Sequence, residues 1–193
     1  MTPGTLSPHD LAAIADQLGR EPRGAVGVAH RCPCSLPDVV ATAPRLPDGT
    51  PFPTTFYLTC PRATSAVSTL ESTGLMRQMT ERLESDPDLA AAYAAAHEDY
   101  LRRRAELGDV PEIAGTSAGG MPTRVKCLHV LVGHALAAGP GVNPLGDEAL
   151  ALLPDWWSGG PCVGVPPSSD ATSGDSPGVS GETASLGDEG EGA

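Results

Sequence analysis

The sequence predicts an α+β fold, a small three-stranded, mostly antiparallel sheet packed against several helices, followed by a disordered acidic tail. Three observations predict it. Short runs rich in β-branched and aromatic residues lie between residues 25 and 59. Apolar residues recur at helical spacing from residue 61 to residue 153. From Val165 onward the chain is Gly, Ser, Pro, Asp, Glu, Thr and Ala with only three larger apolar residues, too few to offset the entropy of ordering. The expected organisation is one globular domain over residues 1–164 and a tail over residues 165–193.

The first element is a helix. Ser7 is a natural N-cap, Pro8 fits the first turn, and Asp10 stands where a capping-box acid belongs. Leu11, Ile14, Ala15 and Leu18 form its apolar stripe, and Gly19 ends it. Ala25–Ala29, Asp38–Thr42 and Thr54–Thr59 read as three strands, with Asp48-Gly49 as the turn signal before the last. From Pro61, the spacing of Ala63, Ala66, Val67 and Leu70 predicts a helix ending near Gly74, and a short one follows over Leu75–Leu83. Asp86-Pro87 caps a longer helix that runs to about Arg104, with three arginines in its last turn. A Gly-rich loop leads to a helix expected over residues 122–138, and a last short helix is expected over Asp147–Leu153. Trp156-Trp157 packs as a lid on the domain's edge.

Twelve Lys and Arg stand against 24 Asp and Glu, a formal net charge of −12. That balance excludes a nucleic-acid binder working by phosphate neutralisation. No apolar run approaches the ~20 residues of a membrane span. The N-terminus lacks the basic start and apolar stretch of a signal peptide. The expectation is a cytoplasmic protein with reduced thiols. Neither nucleic acid nor membrane is among its expected partners.

Reduced cysteines invite a metal or a thiol-chemistry reading. They stand at positions 32, 34, 60, 127 and 162. Cys32 and Cys34 follow the first strand, and Cys60 follows the third. If those two strands are neighbours running the same way, the three thiols share one edge of the sheet. A helix crossing that edge then delivers Cys127, and four thiolates suit tetrahedral zinc or an iron–sulfur cluster. His129 replaces Cys127 as a ligand if the helix start is irregular, and His30 is a further ligand or a partner of one. Cys60 has a second reading. It precedes a helix N-terminus and Arg62, both of which favour a reactive thiolate. The segment Gly115–Gly120 runs into Arg124 and Lys126, so Gly119, Gly120, Arg124 and Lys126 are candidates to hold a phosphate or carboxylate. The segment lacks the spacing of a nucleotide-binding loop.

Three segments carry a resemblance. His30-Arg31-Cys32-Pro33-Cys34, Pro51-Phe52-Pro53-Thr54 with Tyr57-Leu58-Thr59-Cys60-Pro61, and Arg124-Val125-Lys126-Cys127-Leu128-His129 resemble a bacterial family called domain of unknown function 501. Asn143-Pro144-Leu145-Gly146 resembles it too. The resemblance spans roughly residues 8–160 and departs at Ser35, where the family has Gly. It implies no activity. It does imply that Cys32, Cys34, Cys60 and Cys127 belong to a shared pattern and that Cys162 does not.

Two functions follow as expectations. The first is a binding or regulatory protein, with a protein partner, built around a zinc or iron–sulfur site of Cys32, Cys34, Cys60 and Cys127. The second is an enzyme or anion-binding protein using Cys60 with the Gly-rich loop, Arg124 and Lys126.

Overall fold

The computed structural model describes residues 3–164, and the tail expected over residues 165–193 lies outside the described residues. The elements run α1 (Pro8–Leu18), β1 (Ala25–Arg31), β2 (Pro37–Thr42), β3 (Phe56–Leu58), α2 (Pro61–Glu71), α3 (Leu75–Ser85), α4 (Pro87–Ala105), α5 (Leu128–Ala138) and α6 (Pro144–Ala151), with a 3-10 turn at Pro111–Ile113. The α+β expectation holds, with a three-stranded antiparallel sheet in the order β1-β2-β3.

The start of α1 follows its sequence signal closely. The Asp10 amide donates to Ser7 Oγ and the Ser7 amide donates to Asp10 Oδ2, each at 3.1 Å. Its buried face differs from the apolar stripe. Asp10, Ala13, Ile14 and Gln17 face inward while Leu11 is 40% exposed. Two polar contacts turn the helix that way. Arg31 donates to both oxygens of Asp10 at 2.7 and 2.9 Å. Gln17 Nε2 donates to the Pro37 carbonyl at 2.8 Å.

β2 is the central strand and is buried along its whole length, which suits its Val39-Val40-Ala41 run. Because β1 and β3 both run antiparallel to β2, they point the same way but are not neighbours. Phe56 and Leu58 face the main core. There they meet Val39, Val67, Tyr93, Tyr100, Leu128, Leu131, Val132 and Leu145. Helix α5 lies across this core against β3 and α6. Gly133 makes the approach possible, since a Cβ there would stand 2.8 Å from the Phe56 carbonyl oxygen.

The fifth helix begins at Leu128, six residues later than expected. The intervening amides are committed elsewhere. Lys126 donates to the Gly119 carbonyl, seven residues back, at 2.7 Å. Val125 donates to Thr80 Oγ1 at 3.0 Å. The sixth helix begins at Pro144 rather than Asp147, because Asn143 caps it by accepting from the Gly146 amide at 3.0 Å. Trp156 is a core residue, packed edge-to-face on Trp157 with ring centroids 4.6 Å apart. Among the described residues no helix is long and apolar enough to cross a membrane.

Candidate metal centre

The C-terminus of α2 meets the N-terminus of α5, and three metal-ligating side chains converge at that junction. Glu71 is the last residue of α2. Cys127 is the N-cap of α5, and His129 is its second residue. Their donor atoms all lie within 4.8 Å of one another, and they are the one such group of three or more among the described residues. On a continuous helix Cys127 and His129 would point to opposite sides. Cys127 is instead extended, with φ −154° and ψ 117°, and this turns its thiol toward the imidazole. Cys127 Sγ is 3.8 Å from His129 Nδ1, and Glu71 Oε1 is 3.1 Å from the same nitrogen.

The other ring nitrogen is also held. His129 Nε2 lies 3.2 Å from the Thr64 carbonyl and 3.4 Å from Ser68 Oγ, both on α2. A carbonyl only accepts, so Nε2 carries the hydrogen and donates to it. Contact with the Cys127 thiol, then the Glu71 carboxylate, raises the His129 pKa to about 9, against the opposing effect of burial. Without a metal the imidazole is therefore protonated near neutral pH, and Nδ1 donates to Glu71. The side chains of His129 and Glu71 are about a quarter exposed, at 25% and 23%. A cleft of about 230 Å³ beside them is lined by Thr54, Tyr57, Leu58 and Thr64 as well as by Cys127 and His129.

Both Cys127 and Glu71 address Nδ1. A nucleophile–base–carboxylate relay needs them on opposite nitrogens of the ring. The arrangement is a convergent donor set, with the remaining nitrogen fixed by a backbone carbonyl. Metal-binding histidines are held in this way.

Of the four cysteines expected to share a metal, this group contains only Cys127. Cys32 lies against Cys34, and Cys60 lies against Cys162. Four thiolates around one zinc at ~2.3 Å would stand within about 4 Å of one another. No group of three cysteines meets even the 4.8 Å limit among the described residues. Among the described residues the group that converges is the mixed Glu71, Cys127, His129 set, not four thiolates around one zinc. His30 is not part of it. Its Nδ1 pairs with the buried Asp38 carboxylate at 2.7 Å.

Cys60 is also corrected as a reactive thiol. It is 1% exposed, and burial pushes its pKa up to about 11 despite the amides of Ala63 and Arg62 at the helix start. The guanidinium of Arg62 is turned to the Gly160 carbonyl, 2.8 Å away. The Gly-rich loop is a packed turn. Gly120 has φ +96°, and a Cβ there would stand 2.7 Å from the Arg124 carbonyl. Arg124 and Lys126 are exposed. These contacts explain Gly119 and Gly120 by close backbone approach, and they give the expected phosphate or carboxylate ligand no support.

Sequence reasoning missed Glu71. One signal pointed to it. An acid in the last turn of a helix opposes the helix dipole and calls for a compensating partner. Here the partner is the start of α5, where the Leu128 amide donates to Glu71 Oε1 at 2.6 Å.

Comparison with known proteins adds one match. No curated protein and no solved structure matches the chain. The family model described as protein of unknown function (DUF501) matches residues 28–151, a span that contains Glu71, Cys127 and His129. On that match, the chain belongs to the DUF501 family.

Proposed function

We propose that this protein is a metal-binding protein whose centre is Glu71, Cys127 and His129, and that its ion is zinc. The observation that carries the reading is the convergence of a carboxylate, a thiol and an imidazole nitrogen within 4.8 Å, with the second imidazole nitrogen anchored on Thr64. Imidazole, thiolate and carboxylate are the donors zinc takes. A thiolate and a carboxylate together match the charge of a divalent ion. Binding releases the protons of Cys127 and His129 Nδ1, while Nε2 keeps its hydrogen and its bond to Thr64.

Three protein ligands leave a fourth tetrahedral position, and the neighbouring cleft gives that position access to small molecules. Open three-ligand centres are the catalytic kind, whereas structural zinc sites are closed by four protein ligands. A bound zinc ion supplies a Lewis acid and brings the pKa of its water to about 7. The residues of this chain orient the ion and shape the cleft. Metal-assisted hydrolysis is the reaction class that arrangement serves.

The test is zinc stoichiometry by elemental analysis of protein kept reduced, with cobalt substitution as a spectroscopic readout. One zinc per chain is expected, with a cobalt spectrum of single-thiolate intensity. Both are lost in Cys127→Ser and His129→Gln and kept in Cys34→Ser. The far-ultraviolet circular dichroism of each variant establishes that it is folded. Absence of zinc from the folded wild-type chain overturns the proposal. So does retention in Cys127→Ser with loss in Cys34→Ser.

A further inference from the structure

A second cavity, of about 350 Å³, lies away from the metal ligands. It opens on the face of the sheet opposite Phe56 and Leu58, because Tyr57 alternates with them along β3 and pairs with Val40 on β2. Its apolar walls are Leu18 at the end of α1, Leu46, Phe52 and Tyr57, all only partly buried. Two cations, Arg20 and Arg23, line it, and no acid does. In a chain with 24 acids and 12 bases this local excess of positive charge runs against the composition.

Neither arginine makes a salt bridge among the described residues, whereas Arg31, Arg45, Arg82, Arg102 and Arg103 do. Arg20 reaches only the backbone carbonyl of Glu21, at 3.2 Å. Arg23 has a minor influence on Asp48, whose lowered pKa is owed first to the Thr50 amide. The guanidinium groups are thus available to a ligand, and guanidinium matches planar or tetrahedral oxyanions by paired hydrogen bonds.

We infer that this cavity binds a small organic anion with a flat apolar body and a carboxylate, phosphate or sulfonate head. The body packs between Phe52, Tyr57, Leu18 and Leu46, and the head meets Arg20 and Arg23. Concave, mostly apolar pockets of roughly 300 Å³ upward with a few placed polar groups are the usual form of small-molecule sites. The acidic remainder of the molecule does not prevent this, since charges beyond ~8 Å are screened at physiological salt. The site is independent of the proposed zinc centre, and its test needs no metal.

The experiment is a fluorescence titration of the full chain with 1-anilinonaphthalene-8-sulfonate, repeated with N-phenyl-1-naphthylamine, which has the same body without the anion. Saturable binding of the sulfonate at one site is expected. The double variant Arg20→Ala/Arg23→Ala weakens it by about tenfold or more, as loss of charged hydrogen bonds should, and leaves the neutral probe within about threefold. Ala25→Phe, which fills the cavity, weakens both probes. Equal sulfonate affinity in the double variant overturns the inference. So does a wild-type signal that fails to saturate and grows with urea, because that reports unfolding instead of a site.

Discussion

Glu71 Oε1 accepts the Leu128 backbone amide at 2.6 Å, so the last residue of α2 caps the first turn of α5. The helix needs that cap, because its own N-cap residue, Cys127, makes no side-chain cap hydrogen bond. The same oxygen faces His129 Nδ1. One carboxylate thereby joins two helices and completes the donor set, and its two roles can be separated. Glu71→Gln keeps an acceptor oxygen for Leu128 and loses the anionic ligand. Glu71→Ala loses both. Urea unfolding should show the alanine variant less stable by about 1–2 kcal/mol and the glutamine variant by less than about 1 kcal/mol. Zinc affinity, measured against a chelator, should fall in both. Wild-type affinity in the glutamine variant would remove Glu71 from the ligand set.

The five thiols should separate by reactivity. Cys32 and Cys60 are buried, and desolvation pushes their pKa values up to about 12 and about 11. Cys34, Cys127 and Cys162 are partly exposed. Only thiolate is alkylated at a useful rate. In native, metal-free protein near neutral pH, iodoacetamide should modify Cys34, Cys127 and Cys162 first, since these are the partly exposed thiols. Cys32 and Cys60 should react only after urea is added. Peptide mass spectrometry over time reads the order, and early labelling of Cys60 would restore it as the reactive thiol. Zinc should protect Cys127 selectively.

The parts of this fold that local chemistry controls were legible in the sequence. Ser7 and Asp10 form the expected capping box, Asp86 caps α4, and the three strands stand close to their predicted bounds. The sheet expectation failed at one point that spacing does not encode. β1 and β3 run the same way with β2 between them, so shared direction does not make Cys32 and Cys60 neighbours. The candidate metal centre was half legible. Cys127 and His129 stood out by residue type, and an irregular helix start was the stated condition for His129. Glu71 is 56 positions before Cys127, and only the packing of α2 on α5 joins them. The segment before Cys127 misled because Val125 and Leu128 fit a helical stripe, while the Lys126 and Val125 amides go to Gly119 and Thr80.

Tyr100 offers a test of the core beneath the site. Its hydroxyl accepts the Thr55 amide at 2.7 Å and donates to the Pro53 carbonyl at 3.1 Å, and the ring is fully buried. The hydroxyl therefore sets the path of the chain into β3. It also sits edge-to-face with Phe56 and His134, at centroid distances of 5.6 and 5.2 Å. Tyr100→Phe retains the ring contacts and strands a buried amide, so it should cost about 1–3 kcal/mol. Urea unfolding measures the loss. A neutral result would mean that water reaches Thr55 and that the entry to β3 is less tightly sealed than this hydrogen bond implies.

Acid stability should depend on Asp10 and Arg31. The Arg31 guanidinium holds the Asp10 carboxyl down to about 2, with further help from Ser7 and against the opposing effect of burial. The folded value lies below the unfolded one, so ionised Asp10 stabilises the fold. That contribution is complete above about pH 4, where the unfolded carboxyl is also ionised, and it is lost as the pH falls through about 2. The difference corresponds to about 2 kcal/mol at neutral pH. Asp10→Asn removes the charge while Arg31, 46% exposed, stays solvated, so the variant leaves no buried unpaired cation. Near pH 7 the variant should be less stable by about 2 kcal/mol, and the two proteins should converge as the pH approaches about 2. Urea unfolding at a series of pH values reads both. A gap that stays constant down to about pH 2 would show that Asp10 acts only through the uncharged hydrogen bonds of the capping box with Ser7, because such a contribution carries no proton linkage.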